Sequence, residues 1–323
     1  MRGPVRILVV GAGSVGTVVA AALAASGRDV VVYCRPAHVA PIEADGLAVT
    51  GLRAIRARVR ATADAAAIGP VDYLLLCVKT RDTTAALAAL RDVPVAAAAS
   101  LQNGLAKDDQ LAACYGPERV LGAATILSAT AQGPGRATWT LRGTTYFGEL
   151  DGRPTPRVEA LVVAFNQADL PAEAVANVRT AEWSKLCQIV PAAALSALTR
   201  LPYYLVCKTP ELAELFVDLT CECAAVARAE GVELADYAAY NPRTLATASR
   251  AEAVASIVAR GETMEANGLT EMRISMLQDI LRGRPTEVEE TLGYVVRQAQ
   301  ARGVPIPLTR FAYGVIRGVE AQF

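Results

Sequence analysis

RILVVGAGSVG, residues 6–16, is the stretch on which the fold turns. Ile7–Val10 is an unbroken aliphatic run without alternation, the pattern of a strand buried on both faces. It leads directly into Gly11-Ala12-Gly13-Ser14-Val15-Gly16. Thr17–Ala25 then reads as an alanine-rich helix closed by Gly27, and Val30–Tyr33 as a second buried strand. Strand, G-x-G-x-x-G, helix and strand within about thirty residues is the context that a dinucleotide fingerprint requires. Each glycine has its own task. Gly11 permits the tight turn, Gly13 lets a pyrophosphate approach the backbone, and Gly16 lets helix and strand pack closely. The first helical turn offers unpaired N–H groups and a positive dipole end to the phosphates.

The end of the second strand selects the nucleotide. An NAD site places Asp or Glu there to hold the ribose 2′-OH. Here the strand ends Tyr33-Cys34-Arg35, with no carboxylate before Glu43. Arg35 suits a 2′-phosphate, so NADP(H) is the expected cofactor. Tyr73–Val78 is another continuous apolar strand, ending at Lys79, and Val93–Ala99 leads to Gln102-Asn103-Gly104. Open α/β sheets bind ligands beyond the carboxyl ends of their strands, which makes Lys79 and Asn103 candidates. Shorter strands are expected over Thr125–Ser128, Ala137–Leu141 and Thr145–Glu149, and a closing helix over Pro154–Gln167.

The chain has 323 residues, which suits two domains. Hydrophobic residues make up 53% and charged residues 20%, and the formal net charge is zero. That balance argues against a nucleic-acid partner, which would want a basic face. The seven cysteines are scattered without a C-x-x-C pair, and the only histidine is His38. A histidine-ligated metal or a Ser-His-Asp triad is therefore not expected, and the cysteines read as buried thiols in a reducing compartment. The first apolar run is too short for a signal peptide, and no run reaches the ~18 residues of a membrane span. A cytoplasmic protein is expected.

After about Pro171 the strand signals mostly stop, apart from a short edge strand near Glu173–Asn177. Helices are expected over Thr180–Leu198, kinked at Pro191, and over Pro210–Glu230, Pro242–Ala259, Leu269–Leu281, Thr286–Ala301 and Pro307–Val319. The predicted architecture is an α/β Rossmann domain with a doubly wound, mostly parallel sheet over residues 1–175. An all-helical domain follows over 176–323. In that second half Lys185 opens an apolar run, with Ile189 and Ala193 on the same helical face. On its own it reads as a snorkelling surface lysine rather than a desolvated, functional one, because lysine is seldom fully buried. Ser275 and the Thr286-Glu287 pair likewise fit plain helix chemistry.

Taken together, these segments resemble the ketopantoate reductase family over essentially the whole chain. The resemblance is carried by GAGSVG, Cys77-Val78-Lys79, Gln102-Asn103-Gly104 and Trp183-x-Lys185-Leu186. Ser275-Met276-Leu277-Gln278-Asp279, Gly283-Arg284-x-Thr286-Glu287 and the tail Ala301-x-Gly303-Val304-Pro305-x-Pro307 complete it. It implies NADPH reduction of a 2-oxo acid held between a Rossmann and a helical domain. Lys185 would be the general acid. Asn103 and Lys79 would lie by the nicotinamide and its ribose, Ser275 would hold the substrate, and Glu287 would lie near both ligands.

One departure is informative. The family usually carries asparagines one and two helical turns beyond the lysine, where this chain has Ile189 and Ala193. A third polar substrate position corresponds to Tyr203. Losing amide partners costs a buried polar ligand about 1–3 kcal/mol for each group left unpaired. The expected function is therefore an NADPH-dependent reductase whose substrate is less polar than ketopantoate, or bulkier near Ile189. The alternatives are 2-dehydropantoate 2-reductase itself, in pantothenate synthesis, and a non-catalytic NADP(H)-binding protein. The resemblance leaves monomer and homodimer open.

Overall fold

In this computed structural model, residues 5–238 and 240–323 are described. The chain divides into two compact units. One comprises residues up to Gln102 and Ala106–Arg179; the other comprises Asn103–Leu105 and Thr180–Phe323.

The first unit opens with β1 (Arg6–Val10), α1 (Ser14–Ala25), β2 (Asp29–Tyr33), α2 (Pro36–Asp45), β3 (Leu47–Gly51), β4 (Ile55–Ala57) and β5 (Arg60–Thr62). It continues with β6 (Val71–Leu76), α3 (Thr83–Leu90), β7 (Val95–Ser100), α4 (Ala106–Tyr115) and β8 (Val120–Thr125). It ends with β9 (Ser128–Gly133), β10 (Arg136–Leu141), β11 (Thr145–Glu149), α5 (Pro156–Gln167) and β12 (Ala172–Ala174). Eight strands form one sheet in the order β12-β11-β8-β7-β6-β1-β2-β5. Every pair is parallel except β8 with β11.

The central strand explains the aliphatic run. Ile7 and Val9 face a core with α1 and α5, while Leu8 and Val10 face another with α3 and α4. All four side chains are fully buried, each worth about 1.5–3 kcal/mol. The chain builds outward from β1 through β2 and β5, then returns to the other side of β1 with β6. Val10 lies opposite Leu76, so the turns after β1 and β6 are neighbours at a topological switch point.

A second sheet, β4-β3-β10-β9, packs against α1 and is not announced by the sequence. A strand is predicted across Thr125–Ser128. Instead the chain leaves the large sheet at Thr125 and joins the small one from Ser128. The pairing of β10 with β3 sets Ala137 opposite Val49, a contact too distant in sequence for local patterning to show. It encloses α1, so Gly16–Leu23 are all buried. A helix buried all round needs small apolar residues rather than one apolar stripe.

The second unit is helical: α6 (Val178–Thr199), α7 (Tyr203–Lys208), α8 (Pro210–Ala229), α9 (Pro242–Thr247), α10 (Arg250–Ala266), α11 (Ser275–Leu281), α12 (Leu292–Arg302) and α13 (Pro307–Glu320). Helix α8 packs against α7, α9, α10, α12 and α13. Pro191 lies within α6 without ending it. Several predicted helices are cut back. Pro242–Ala259 is divided where Ser249 and Glu252 form a capping box that starts α10. Leu269–Leu281 is helical only from Ser275, because Ile274 is extended (φ −62°, ψ 144°). Thr286–Ala301 becomes helical only at Leu292. Before it, Thr286 Oγ1 accepts from the Val288 N–H, and the Glu287 carbonyl accepts from the Thr291 N–H and hydroxyl. The sequence does not announce α7, which meets α10 backbone to backbone. A Cβ on Gly261 would stand 2.4 Å from the Lys208 nitrogen. Among the described residues no helix is long and apolar enough to cross a membrane.

Candidate active site

The glycine turn after β1 separates what the protein needs from what a ligand needs. Gly11 holds φ at +106°, and its N–H donates to the Tyr33 carbonyl at 2.8 Å. A Cβ on Gly16 would stand 1.9 Å from the Gly11 oxygen and 3.1 Å from the Cys77 Cβ. A Cβ on Gly13 would meet nothing within 4 Å. Gly11 and Gly16 are thus demanded by the protein's own packing, whereas Gly13 is not. Gly13 is also the N-cap of α1, with no side chain bonded to that helix end. The first-turn N–H groups therefore have no intrahelical acceptor and no side-chain cap. This cradle fits a dinucleotide pyrophosphate, which is anionic and takes several N–H donors at close backbone approach. Ala12 is buried beneath the turn, while Ser14 and Val15 are half-buried at the helix start. Desolvation pushes the Cys77 thiol up to about 12, so the side chain packed against Gly16 stays neutral.

Arg35 is exposed at the carboxyl end of β2, with Nη2 3.3 Å from the His38 Nε2. Burial, and then the Arg35 charge, lower the His38 pKa, which leaves an imidazole able to accept from the guanidinium. Arg35 makes no ion pair among the described residues. At the end of β6, Lys79 is half-buried and its carbonyl accepts from the Asp82 N–H at 2.8 Å. This turn is tied down by Gln102, a residue that the sequence reading leaves without a role. Gln102 Nε2 donates to the Val78 carbonyl at 2.8 Å and to Thr83 Oγ1 at 2.7 Å, and its Oε1 accepts from Ser100 at 2.9 Å. Its signal was its place between an apolar strand and Asn103-Gly104.

In the second unit, Asn103 Nδ2 donates to Glu287 Oε2 at 3.3 Å. Gly104 (φ +80°) allows the approach, since a Cβ there would lie 2.3 Å from the Glu290 carbonyl oxygen. Two predicted site residues distant in sequence are therefore partners. The turn that replaces the expected start of α12 carries Glu287 to this position.

Lys185 is held by its neighbours on α6. Trp183 is fully buried and its Nε1 donates to Glu230 at 3.0 Å. Ser184 Oγ accepts from the Ala235 N–H at 3.0 Å. From Ala181 to Ala197 every residue is buried except Lys185, Gln188 and Ile189. Their spacing of i, i+3 and i+4 makes one accessible strip on an otherwise enclosed helix. Ala193, one turn beyond Ile189, is 2% exposed and closes the strip.

Tyr203 is buried, and its hydroxyl accepts from Gln188 Nε2 at 2.7 Å. Burial pushes its pKa up, so the phenol stays neutral. Arg260, which the sequence reading missed, donates from Nη1 to Gln188 Oε1 at 3.1 Å and from Nη2 to Asn241 Oδ1 at 2.5 Å. The predicted helix stopped at Ala259, one residue short of it. Ser275 is exposed as the first residue of α11.

Comparison with known proteins agrees over both units. Residues 7–152 match the family model described as ketopantoate reductase PanE/ApbA, and residues 177–320 match its C-terminal counterpart. The 2-dehydropantoate 2-reductase of Archaeoglobus fulgidus is 29% identical over 316 residues, covering 98% of each chain. The crystal structure of a PanE/ApbA family ketopantoate reductase from Ralstonia eutropha JMP134 superposes with a TM-score of 0.82 at 30% identity. That match covers 98% of this chain and 99% of the other. A D-mandelate dehydrogenase solved with NADH and anilino(oxo)acetate has the same TM-score, 0.82, at 20% identity, covering 98% of this chain and 99% of the other. At that identity the likeness is one of fold.

Proposed function

The chain belongs to the ketopantoate reductase family, oxidoreductases acting on CH–OH groups with a nicotinamide cofactor, and from that premise we propose that it reduces the ketone of a 2-oxo acid less polar than ketopantoate, using NADPH and Lys185 as general acid. The observation that carries this reading is the accessible strip on α6, an ammonium with the aliphatic Ile189 on the next turn. The nicotinamide, when bound, supplies the hydride. The segment Gly11–Gly16 holds the pyrophosphate, and Arg35 faces the 2′-phosphate. Lys79 and Asn103 line the nicotinamide and its ribose. With Nδ2 donated to Glu287, Asn103 keeps Oδ1 as an acceptor for a ligand, so Glu287 sets the direction of that amide. Ser275 holds the substrate through its hydroxyl.

As negative charge builds on the ketone oxygen, the Lys185 ammonium stabilises it and transfers a proton, producing the alcohol. General-acid help of this kind is worth about 10²–10⁴-fold. Ile189 presents hydrocarbon where a polyhydroxylated substrate would want an amide, and the buried Ala193 beyond it offers none. The Tyr203 hydroxyl is already bonded to Gln188. A hydroxyl on the substrate placed against Ile189 would lose its hydrogen bonds to water and gain none from that side chain.

The relatives named 2-dehydropantoate 2-reductase favour a second reading, ketopantoate itself. NADPH oxidation with a panel of 2-oxo acids bearing apolar or hydroxylated side chains separates the two. The apolar acids should have the higher kcat/KM; ketopantoate as best substrate would establish the second reading. Lys185→Ala should lower kcat by about 10²–10⁴-fold at unchanged NADPH affinity, and undiminished turnover would remove the lysine from the mechanism.

A further inference from the structure

We propose that Arg260 anchors the carboxylate of the substrate and so sets the preference for oxo acids over neutral ketones. The proposal rests on the 2-oxo acid reading above. On α10 the buried residues Ala253, Ile257, Gly261 and Met264 follow one helical face, and Arg260 occupies a position on that face. A cation in an apolar stripe is uncommon and needs a compensating partner. Arg260 makes no ion pair among the described residues, and the groups that touch it are neutral. Gln188 Oε1 and Asn241 Oδ1 accept from its two Nη atoms, and the Tyr203 oxygen lies 3.5 Å from Nη1.

This network orients the guanidinium without neutralising it. Gln188 gives its own N–H to Tyr203, so only its carbonyl oxygen faces the arginine. The donors run one way, from Arg260 to Gln188 to Tyr203, and among the described residues the positive charge at the head of the chain has no counterion. Gly261 sets the position, because its missing side chain lets α7 and α10 touch and places Arg260 beside Tyr203. Arg260 and Gln188 are both half-buried. A planar, fixed, partly dehydrated guanidinium is suited to a carboxylate.

Its neighbour on α6 connects it to the chemistry. Gln188 belongs to the same accessible strip as Lys185, about 4.5 Å further along the helix axis. In a 2-oxo acid the ketone and carboxylate are on adjacent carbons, so acid and anchor must be close together. Lys185 would take the ketone oxygen, Arg260 the carboxylate, and Ile189 the apolar side chain.

Calorimetric titration with 3-methyl-2-oxobutanoate and its methyl ester, with and without saturating NADP⁺, tests this directly. The wild type should bind the acid at least tenfold more tightly than the ester. Arg260→Gln should weaken acid binding roughly 10- to 100-fold and erase the preference. Arg260→Lys keeps the charge but loses the fork, and should fall about tenfold. Should the glutamine variant fail to fold, the lysine variant decides alone: acid binding unchanged from wild type overturns the proposal. A preference that survives Arg260→Gln, or is absent from the wild type, also overturns it. An Arg260-dependent preference in a protein that oxidises NADPH with no 2-oxo acid would uphold the anchor and discard the reductase reading beneath it.

Discussion

Gly13→Ala and Gly16→Ala, paired, should separate ligand space from packing space in the glycine turn. At Gly16 the new methyl would stand 1.9 Å from the Gly11 oxygen, where real Cβ atoms are essentially never found. Gly11 has little room to retreat, because its own Cβ direction is closed by Val78 at 2.9 Å and its N–H is bonded to Tyr33. The cost should reach at least the upper end of the overpacking range, about 3 kcal/mol, or roughly 6–12 °C in the melting temperature of a domain this size. At Gly13 the same methyl meets no protein atom, and φ of −84° with ψ of −155° is open to alanine. Stability without ligand should therefore change by less than about 1 kcal/mol. A pyrophosphate seated over Gly13 would be displaced. Losing two charge-assisted hydrogen bonds costs about 3–6 kcal/mol, at least about 100-fold in affinity. Fluorescence titration with NADPH, beside thermal melts without cofactor, reads both quantities. Wild-type NADPH affinity in Gly13→Ala would refute the assignment of this space to the pyrophosphate, and an unchanged melt for Gly16→Ala would refute the packing argument.

Other outcomes follow from the same geometry. Ile189→Asn should raise kcat/KM for ketopantoate by about tenfold, since an amide on the accessible strip is worth about 1–3 kcal/mol to a buried polar ligand; no gain in steady-state kinetics would count against the apolar-wall reading. Arg35→Ala should reduce the preference for NADPH over NADH about 10- to 100-fold by removing a charge-assisted contact, with NADH kinetics little altered; an unaltered ratio would assign the 2′-phosphate to another residue. Glu149 gives a pH test. Burial pushes its carboxyl up, but hydrogen bonds from Arg157 (2.7 and 2.5 Å) and Thr155 (2.5 Å) outweigh that and hold it below its ordinary 4.5. With the folded-state pKa depressed, the stabilisation is present above the unfolded value and is lost as pH falls through the folded one. Denaturant midpoints should therefore drop below about pH 4.5 in the wild type and vary less in Glu149→Gln, which lacks about 1–2 kcal/mol of the interaction at neutral pH. Parallel pH profiles would remove Glu149 from the acid response.

The first eleven residues of the nucleotide motif determined a large part of this protein on their own, because each constraint in them leaves a local signature in residue type. A strand buried on both faces, a turn at positive φ and a helix packed through a glycine each leave a mark within a few residues. The helical character of the second half was legible for the same reason, from period and caps. The boundaries that failed did so where a side chain or a distant segment intervened. The Ser249–Glu252 box divided one expected helix, and the turn at 286–291 delayed another. Pairing of β10 with β3 drew a second sheet around α1, which no local pattern announces.

The site divides along the same line. Gly11, Gly13, Gly16 and Arg35 could be proposed from sequence because their types and spacings carry the chemistry, and Lys185 because the segment Trp183-x-Lys185-Leu186 resembles the family's. That Asn103 and Glu287 are partners, that Gln102 ties two strand ends together, and that Lys185, Gln188 and Ile189 form an accessible strip between Ala181 and Ala197 on α6 needed the tertiary structure. Arg260 is the sharpest case. In the sequence it is an arginine just past a predicted helix end. In the fold a missing side chain at Gly261 brings α7 and α10 into contact and leaves the guanidinium held by neutral acceptors. Hydrogen-bond geometry and burial depend on positions in space, and only the folded chain sets those.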